Sequence, residues 1–166
     1  MRSAWEFTMI IPLTLVFVND SRSFIPSKYS KLYDFVSTSQ WDKAIARCKK
    51  NPNEASMWIK DDDSDFPRLP IMKVCGKNAP VELINSLIEA YPEGVQCREN
   101  HAMLPIHVCI QKKANEDVLK SLIRAHPASV WAEDAFGLLP IHLVSRKFRI
   151  GIAIIWRESE LSVRFE

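Results

Sequence analysis

The sequence has almost no excess charge of one sign: 22 lysines and arginines face 20 aspartates and glutamates, a formal net charge of +2 over 166 residues. That balance leaves no electrostatic footprint for nucleic acid. Glycine is scarce too, four residues against ten prolines, which suits short helices punctuated at fixed points better than a sheet with many tight turns. Cys48, Cys75, Cys97 and Cys109 lie 27, 22 and 12 residues apart, so there is no Cys-x-x-Cys pair. They read as reduced core thiols, with no metal implied. The glycines stand alone, so there is no phosphate-cradling loop and no Gly-x-Ser-x-Gly elbow. Residues 8–18 form an apolar run of eleven, too short to span a bilayer. What is present is ordinary for a globular chain, 47% hydrophobic and 25% charged residues, which excludes collagen-like, disordered and polytopic membrane classes.

Comparison of the chain with itself shows its organisation. Leu69-Pro70-Ile71 recurs as Leu104-Pro105-Ile106 and as Leu139-Pro140-Ile141, 35 residues on each time. Ala90-Tyr91-Pro92 becomes Ala125-His126-Pro127, and Ser86-Leu87-Ile88 becomes Ser121-Leu122-Ile123, in the same register. Several matches at one step define an internal repeat.

Each unit reads as a helix pair. Pro105 stands where a first helix begins, because its fixed φ and missing N–H are harmless there. Ile106, Cys109 and Ile110 then form an apolar stripe at helical spacing. After a polar break, Val118, Leu119, Leu122 and Ile123 mark a second helix, as Leu83, Ile84, Leu87 and Ile88 do one unit earlier. Pro92 and Pro127 end those helices. An earlier, degenerate unit has Ser39 and Asp42 in capping-box spacing, a stripe of Trp41, Ala44, Ile45 and Cys48, and Asn51-Pro52 as its end. Its connector to Leu69-Pro70 is five residues longer than the next one and contains Asp61-Asp62-Asp63-Ser64-Asp65. The expected fold is all-α, divided into an apolar N-terminal arm (1–27), a degenerate first repeat (28–68), two repeats (69–103 and 104–138) and an atypical C-terminal repeat (139–166).

The junction Asp134-x-x-Gly137-x-Leu139-Pro140-Ile141-His142 resembles the ankyrin repeat, whose motif is Asp-x-x-Gly-x-Thr-Pro-Leu-His. One unit back Pro105 and His107 are retained, with Glu99 and Ala102 at the Asp and Gly positions. The period is 35 where the family has 33, and Leu replaces Thr at residues 69, 104 and 139. Losing that hydroxyl removes a helix cap worth about 1 kcal/mol. The resemblance implies an α-solenoid of helix-turn-helix units, no cofactor, and a concave protein-binding strip. By position the strip contains Asp65, Phe66, Arg68, Gly76 and Lys77; then Asn100, His101, Met103, Gln111 and Lys112; then Ala135, Phe136, Leu138, Arg146 and Lys147. The family histidines, here His107 and His142, brace neighbouring connectors.

Residue patterns that carry chemistry are few. Asp61, Asp63 and Asp65 fall at the first three ligand positions of an EF-hand loop, but Phe66 replaces its glycine and Met72 its bidentate glutamate, so calcium is excluded. A small metal-binding or hydrolytic protein using His107, Cys109 and His142 is the alternative function. Residues i and i+2 of a helix face different ways, which counts against His107 with Cys109 as joint ligands. The partner is therefore expected to be another protein, with no nucleic acid and no membrane span, and further repeats of a longer array are a second option. Residues 148–156 are almost wholly apolar, unlike the polar outer face of a terminal repeat. The cysteines favour a cytoplasmic location. Residues 8–18 followed by Ser21-Arg22-Ser23 offer a secretory alternative, and Ser23-Phe24-Ile25-Pro26 a plastid-targeting one.

Overall fold

A computed structural model of the chain describes residues 25–26, 30–60 and 66–144. The apolar run at 8–18, the acidic residues 61–65 and the tail with Arg146 and Lys147 lie outside the described residues. The described part is mainly helical. Its one sheet is a two-residue parallel pairing of β1 (Ile25–Pro26) with β2 (Ile59–Lys60).

Ser30 starts α1 (Lys31–Ser37) by accepting the Tyr33 N–H at 3.2 Å, and Leu32, Tyr33 and Val36 form its buried face. This helix precedes the stripe recognised in the sequence and completes the first pair with α2 (Trp41–Lys50). The capping box expected of Ser39 and Asp42 does not form. Gln40 occupies the N-cap of α2 without a side-chain cap bond, and Ser39 sits at φ 57. The reason is α1's own ending: the Gln40 N–H donates to the Phe35 carbonyl at 2.8 Å, a closure that demands a left-handed residue just before it. Ala44 and Cys48 are buried along α2 as its stripe requires, and Arg47, Lys49 and Lys50 in its last turn complement the helix dipole.

The next two pairs are α3 (Pro70–Cys75) with α4 (Val81–Ala90), and α5 (Pro105–Gln111) with α6 (Glu116–Ala125). Pro70 and Pro105 open their helices at the first turn, where a missing N–H breaks no bond. All six residues of α3 are buried, because the helix is enclosed: α1 packs on one side of it and α5 on the other. In the second layer α2 packs on α4 and α4 on α6. Leu83, Ile84 and Leu87 meet Val118 and Leu122 within one core, and Leu104, Ile106, Ile110, Leu119, Ile123 and Val130 form a second cluster beside it.

The ends of α2, α4 and α6 are built alike. Asn51, Tyr91 and His126 leave the helical region at φ −135, −148 and −148, as a residue preceding proline is biased to do. Pro52–Ser56, Pro92–Val95 and Pro127–Trp131 then form short 3₁₀ turns that bury Ala55, Val95 and Val130. Beyond them the chain folds back in a narrow turn: the Glu99 N–H donates to Met103 O at 2.9 Å, and the Asp134 N–H to Leu138 O at 3.0 Å. In the first connector the same closure joins Ile59 and Arg68, at 2.9 and 2.8 Å in the two directions. Those two residues lie nine apart instead of four, so the five extra residues enlarge this turn and leave the helices undisturbed. The last described segment, Pro140–Leu143, begins like α3 and α5 but is a 3₁₀ turn.

Candidate binding cleft

The connectors hold one another through bonds that step along the chain. Arg98 Nη1 donates to its own turn at Ala102 O, 2.6 Å, and across to Glu133 O in the next connector, 2.7 Å. The Ala135 N–H donates to His101 O at 2.8 Å. Below them His107 Nδ1 accepts the Leu104 N–H at 3.1 Å, while Nε2 meets Ala132 O at 3.0 Å and serves as the donor there. Burial holds the ring's pKa below 6.5, opposed by the Ala132 bond and by Asp134, which suits the neutral tautomer these two bonds require. His142 repeats the first bond, accepting Leu139 N–H at 3.0 Å.

These histidines also show how the chain manages without threonine at the helix start. Leu69 and Leu104 are buried, at 0% and 3% exposure, and offer no cap. At Leu104 and Leu139 the imidazole three residues on instead takes up the leucine N–H, so one orphan donor is satisfied from inside the turn; Leu69 has Met72 at that place. The signal was the His three residues after each Leu at 104 and 139.

Asp134 and Glu99 occupy the same place in successive units and behave differently. Asp134 Oδ1 accepts the N–H groups of Phe136 and Leu138 at 2.8 and 2.9 Å. The Leu138 bond above all, with the Phe136 bond and His107 and His101 nearby, holds its carboxyl below the usual range. Glu99 is one methylene longer, and its side chain, 7% exposed, lies 3.4 Å from Arg68 Nε. Burial pushes its pKa up, and Arg68, Lys112 and His101 pull it back only in part.

That ion pair sits in a cleft of about 250 Å³ between α3 and α5. Its lining brings together Arg68, Gly76, Lys77, Met103, Gln111 and Lys112, six strip positions drawn from two successive units. Met72, Lys73, Glu99 and Val108 complete it, and sequence reasoning missed all four. Lys73 is 7% exposed with its ammonium 5.7 Å from the centre of the Tyr33 ring, and Lys77 donates to the Ser37 carbonyl. The Lys112 side chain is exposed and holds no hydrogen bond or ion pair among the described residues.

The other strip positions lie elsewhere. Phe66 and Phe136 are 49% and 70% exposed, and Phe136 stacks on His101 with ring centres 5.4 Å apart. Asn100, Ala135 and Leu138 belong to the turns rather than the cleft. Trp131, 56% exposed, is an apolar surface residue that the repeat pattern did not mark. Asp65, Arg146 and Lys147 lie outside the described residues.

In the rival set of His107, Cys109 and His142, the side chains have partners of their own, with His142 Nδ1 taken by the Leu139 N–H. Both ring nitrogens of His107 are occupied by backbone groups. The Cys109 thiol is buried against Cys75, and burial first, then that neighbour, pushes its pKa well up, opposite to what a nucleophile needs. Among the described residues no group of three or more His, Cys, Asp or Glu could hold a metal ion, and no helix is long and apolar enough to cross a membrane. A scan against protein-family models finds no match to the chain, and neither does a search of the curated proteins.

Proposed function

We propose that the chain is a non-catalytic protein-binding module, an α-solenoid of the ankyrin-repeat type, that binds its partner along the edge formed by α3, α5 and the connector turns. Support for the architecture comes from bonds that recur at a 35-residue step: Glu99 to Met103 and Asp134 to Leu138, and Leu104 to His107 and Leu139 to His142. The observation that carries the function is the cleft, because six strip positions drawn from two separate units, five of them with side chains, converge on one concavity. Repeat arrays bind through such surfaces because stacking aligns equivalent positions of successive units. The exposed aromatics Phe66 and Phe136 and the half-buried Met103 add the residue types favoured at interfaces.

The test is capture of partners on wild-type protein beside a Phe66→Ala, Met103→Ala, Phe136→Ala triple variant whose helicity is checked by circular dichroism. Partners held by the wild type are lost from a folded variant; a folded variant that keeps them all refutes the proposal. We place the protein in the cytoplasm, on the strength of thiols that are free and, at Cys48, Cys75 and Cys109, buried. Mass spectrometry of the mature N-terminus tests this: a chain starting near Phe24 overturns it.

A further inference from the structure

We infer that the cleft between α3 and α5 receives an acidic peptide segment, one apolar side chain of which rests on the cleft floor while its carboxylates meet the lysines at the rim. The inference rests on the protein-binding reading and names the chemistry of the partner.

Charge decides the class. Four cations, Arg68, Lys73, Lys77 and Lys112, line the cleft against the single carboxylate of Glu99, in a chain whose total charge is only +2. Glu99 is already engaged by Arg68. The Lys112 side chain is exposed and makes no hydrogen bond or ion pair among the described residues, although its charge acts on Glu99. The same position is lysine in three successive units of the sequence, Lys77, Lys112 and Lys147, and the first two of these line the cleft.

Size and floor decide the form. A volume near 250 Å³ falls below the roughly 300–1,000 Å³ of small-molecule pockets and is suited to a side chain of a longer partner. Met72, Met103 and Val108 supply the apolar part of its lining, with Met72 and Val108 buried, and unbranched methionines adapt to differently shaped occupants. Nucleic acid needs a basic face running across several phosphates, and here the cations gather in one small concavity within a charge-balanced chain.

The experiment is fluorescence anisotropy of the full chain with a labelled Asp-Glu-Leu-Asp-Glu-Phe peptide, beside its Asn-Gln-Leu-Asn-Gln-Phe counterpart and a labelled uridine oligonucleotide. A variant carrying Gln111→Glu and Lys112→Glu alters two exposed side chains with no hydrogen bond or ion pair among the described residues, and circular dichroism checks that its helicity matches the wild type. The acidic peptide is expected to bind, with an affinity about tenfold lower in the variant and falling as salt rises. Equal binding of the neutral peptide overturns the inference, and so do unchanged affinity in the variant, preferential binding of the oligonucleotide, and self-association of the chain that the variant abolishes. If the acidic peptide does not bind while the aromatic triple variant still loses its captured partners, the acidic class fails and the protein-binding module stands.

Discussion

Residues 102 and 137 hold the same place in successive turns, and opposite substitutions there should have opposite effects. Gly137 has φ +71, and a Cβ built on it meets nothing within 4 Å. Ala102 sits at φ 55 with a side chain that glycine would not carry. A left-handed conformation costs an L-residue about 1–2 kcal/mol, whereas the extra freedom of glycine in the unfolded chain costs about 0.4–1 kcal/mol. The difference predicts that Ala102→Gly stabilises the protein by about 0.5–1 kcal/mol and that Gly137→Ala destabilises it by a similar amount. Because the space at 137 is open, no clash confuses the second value. Urea denaturation followed by far-ultraviolet circular dichroism measures both. With a slope of roughly 1–3 kcal/mol per molar urea, each midpoint moves by about 0.3 M, upward for Ala102→Gly and downward for Gly137→Ala. Shifts of the same sign, or a lower midpoint for Ala102→Gly, would show that the two turns are not equivalent and refute the reasoning.

Glu54 is 6% exposed, and its carboxylate ties α1 to the turn at Pro52–Ser56 by accepting the Leu32 N–H at 2.8 Å and the Ser30 hydroxyl at 3.3 Å, and pairs with Arg47. Glu54→Gln should cost about 1–3 kcal/mol in urea melts, and an unchanged midpoint would refute that role. Burial raises the Glu54 pKa, but the Arg47 bond, the Leu32 N–H, the Arg47 charge and the Ser30 bond outweigh it and leave the value below 4.5. Its stability contribution is therefore present above pH 4.5 and lost as pH falls through the folded value, a slope that the glutamine variant should lack. His107→Ala orphans the Leu104 N–H and the Ala132 carbonyl and should cost about 2–3 kcal/mol. The His107 pKa lies below 6.5 through burial, so its contribution is full above pH 6.5 and fades as pH falls through the folded value; the alanine variant should show a flatter profile there, with the slope of His126, also lowered by burial, remaining. Burial, with Glu89 and Glu54 nearby, raises the Cys48 thiol to about 11. Iodoacetamide at pH 8 should label the half-buried Cys97 well before Cys48, and mass mapping that finds the reverse order would contradict the packing of α2.

The sequence made the helices at 81–90, 105–111 and 116–125 legible because proline and apolar spacing act locally, on backbone φ and on one helix face. The enlarged first turn was legible as well, since five inserted residues change a length that repetition otherwise holds constant. Helix α1 was not, because its start depends on Ser30 and on Glu54, 24 residues away, and no local pattern announces such a bond. Ser39 misled for a related reason: its spacing to Asp42 is that of a cap, but closing α1 claimed its backbone first. In the cleft the exposed rim followed from repeat position, while Met72, Lys73 and Val108 were hidden because each is buried enough to pass for core.

Positions 68, 103 and 138 show why a surface of this kind can change its partner without changing its fold. Each supplies a carbonyl that accepts the closing bond of its turn, from Ile59, Glu99 and Asp134, and any residue has that carbonyl. The side chains are arginine, methionine and leucine, and none is fully buried. One residue further on, Leu69 and Leu104 are buried at 0% and 3% exposure, and Pro70 and Pro105 open the helices. Constraint and freedom therefore alternate within two residues: the backbone bond and the buried leucine fix where the side chain stands, and the core touches that side chain only in part, as it does Met103. Exchanging the half-buried Met103 for arginine, whose aliphatic stem covers the same core contact while its head reaches water, should cost no more than about 1 kcal/mol in urea melts, while adding a fifth cation to the cleft and making acidic-peptide binding more steeply salt-dependent. A large loss of stability in Met103→Arg would mean that this side chain belongs to the core, and the separation of scaffold from recognition at the turns would fail with it.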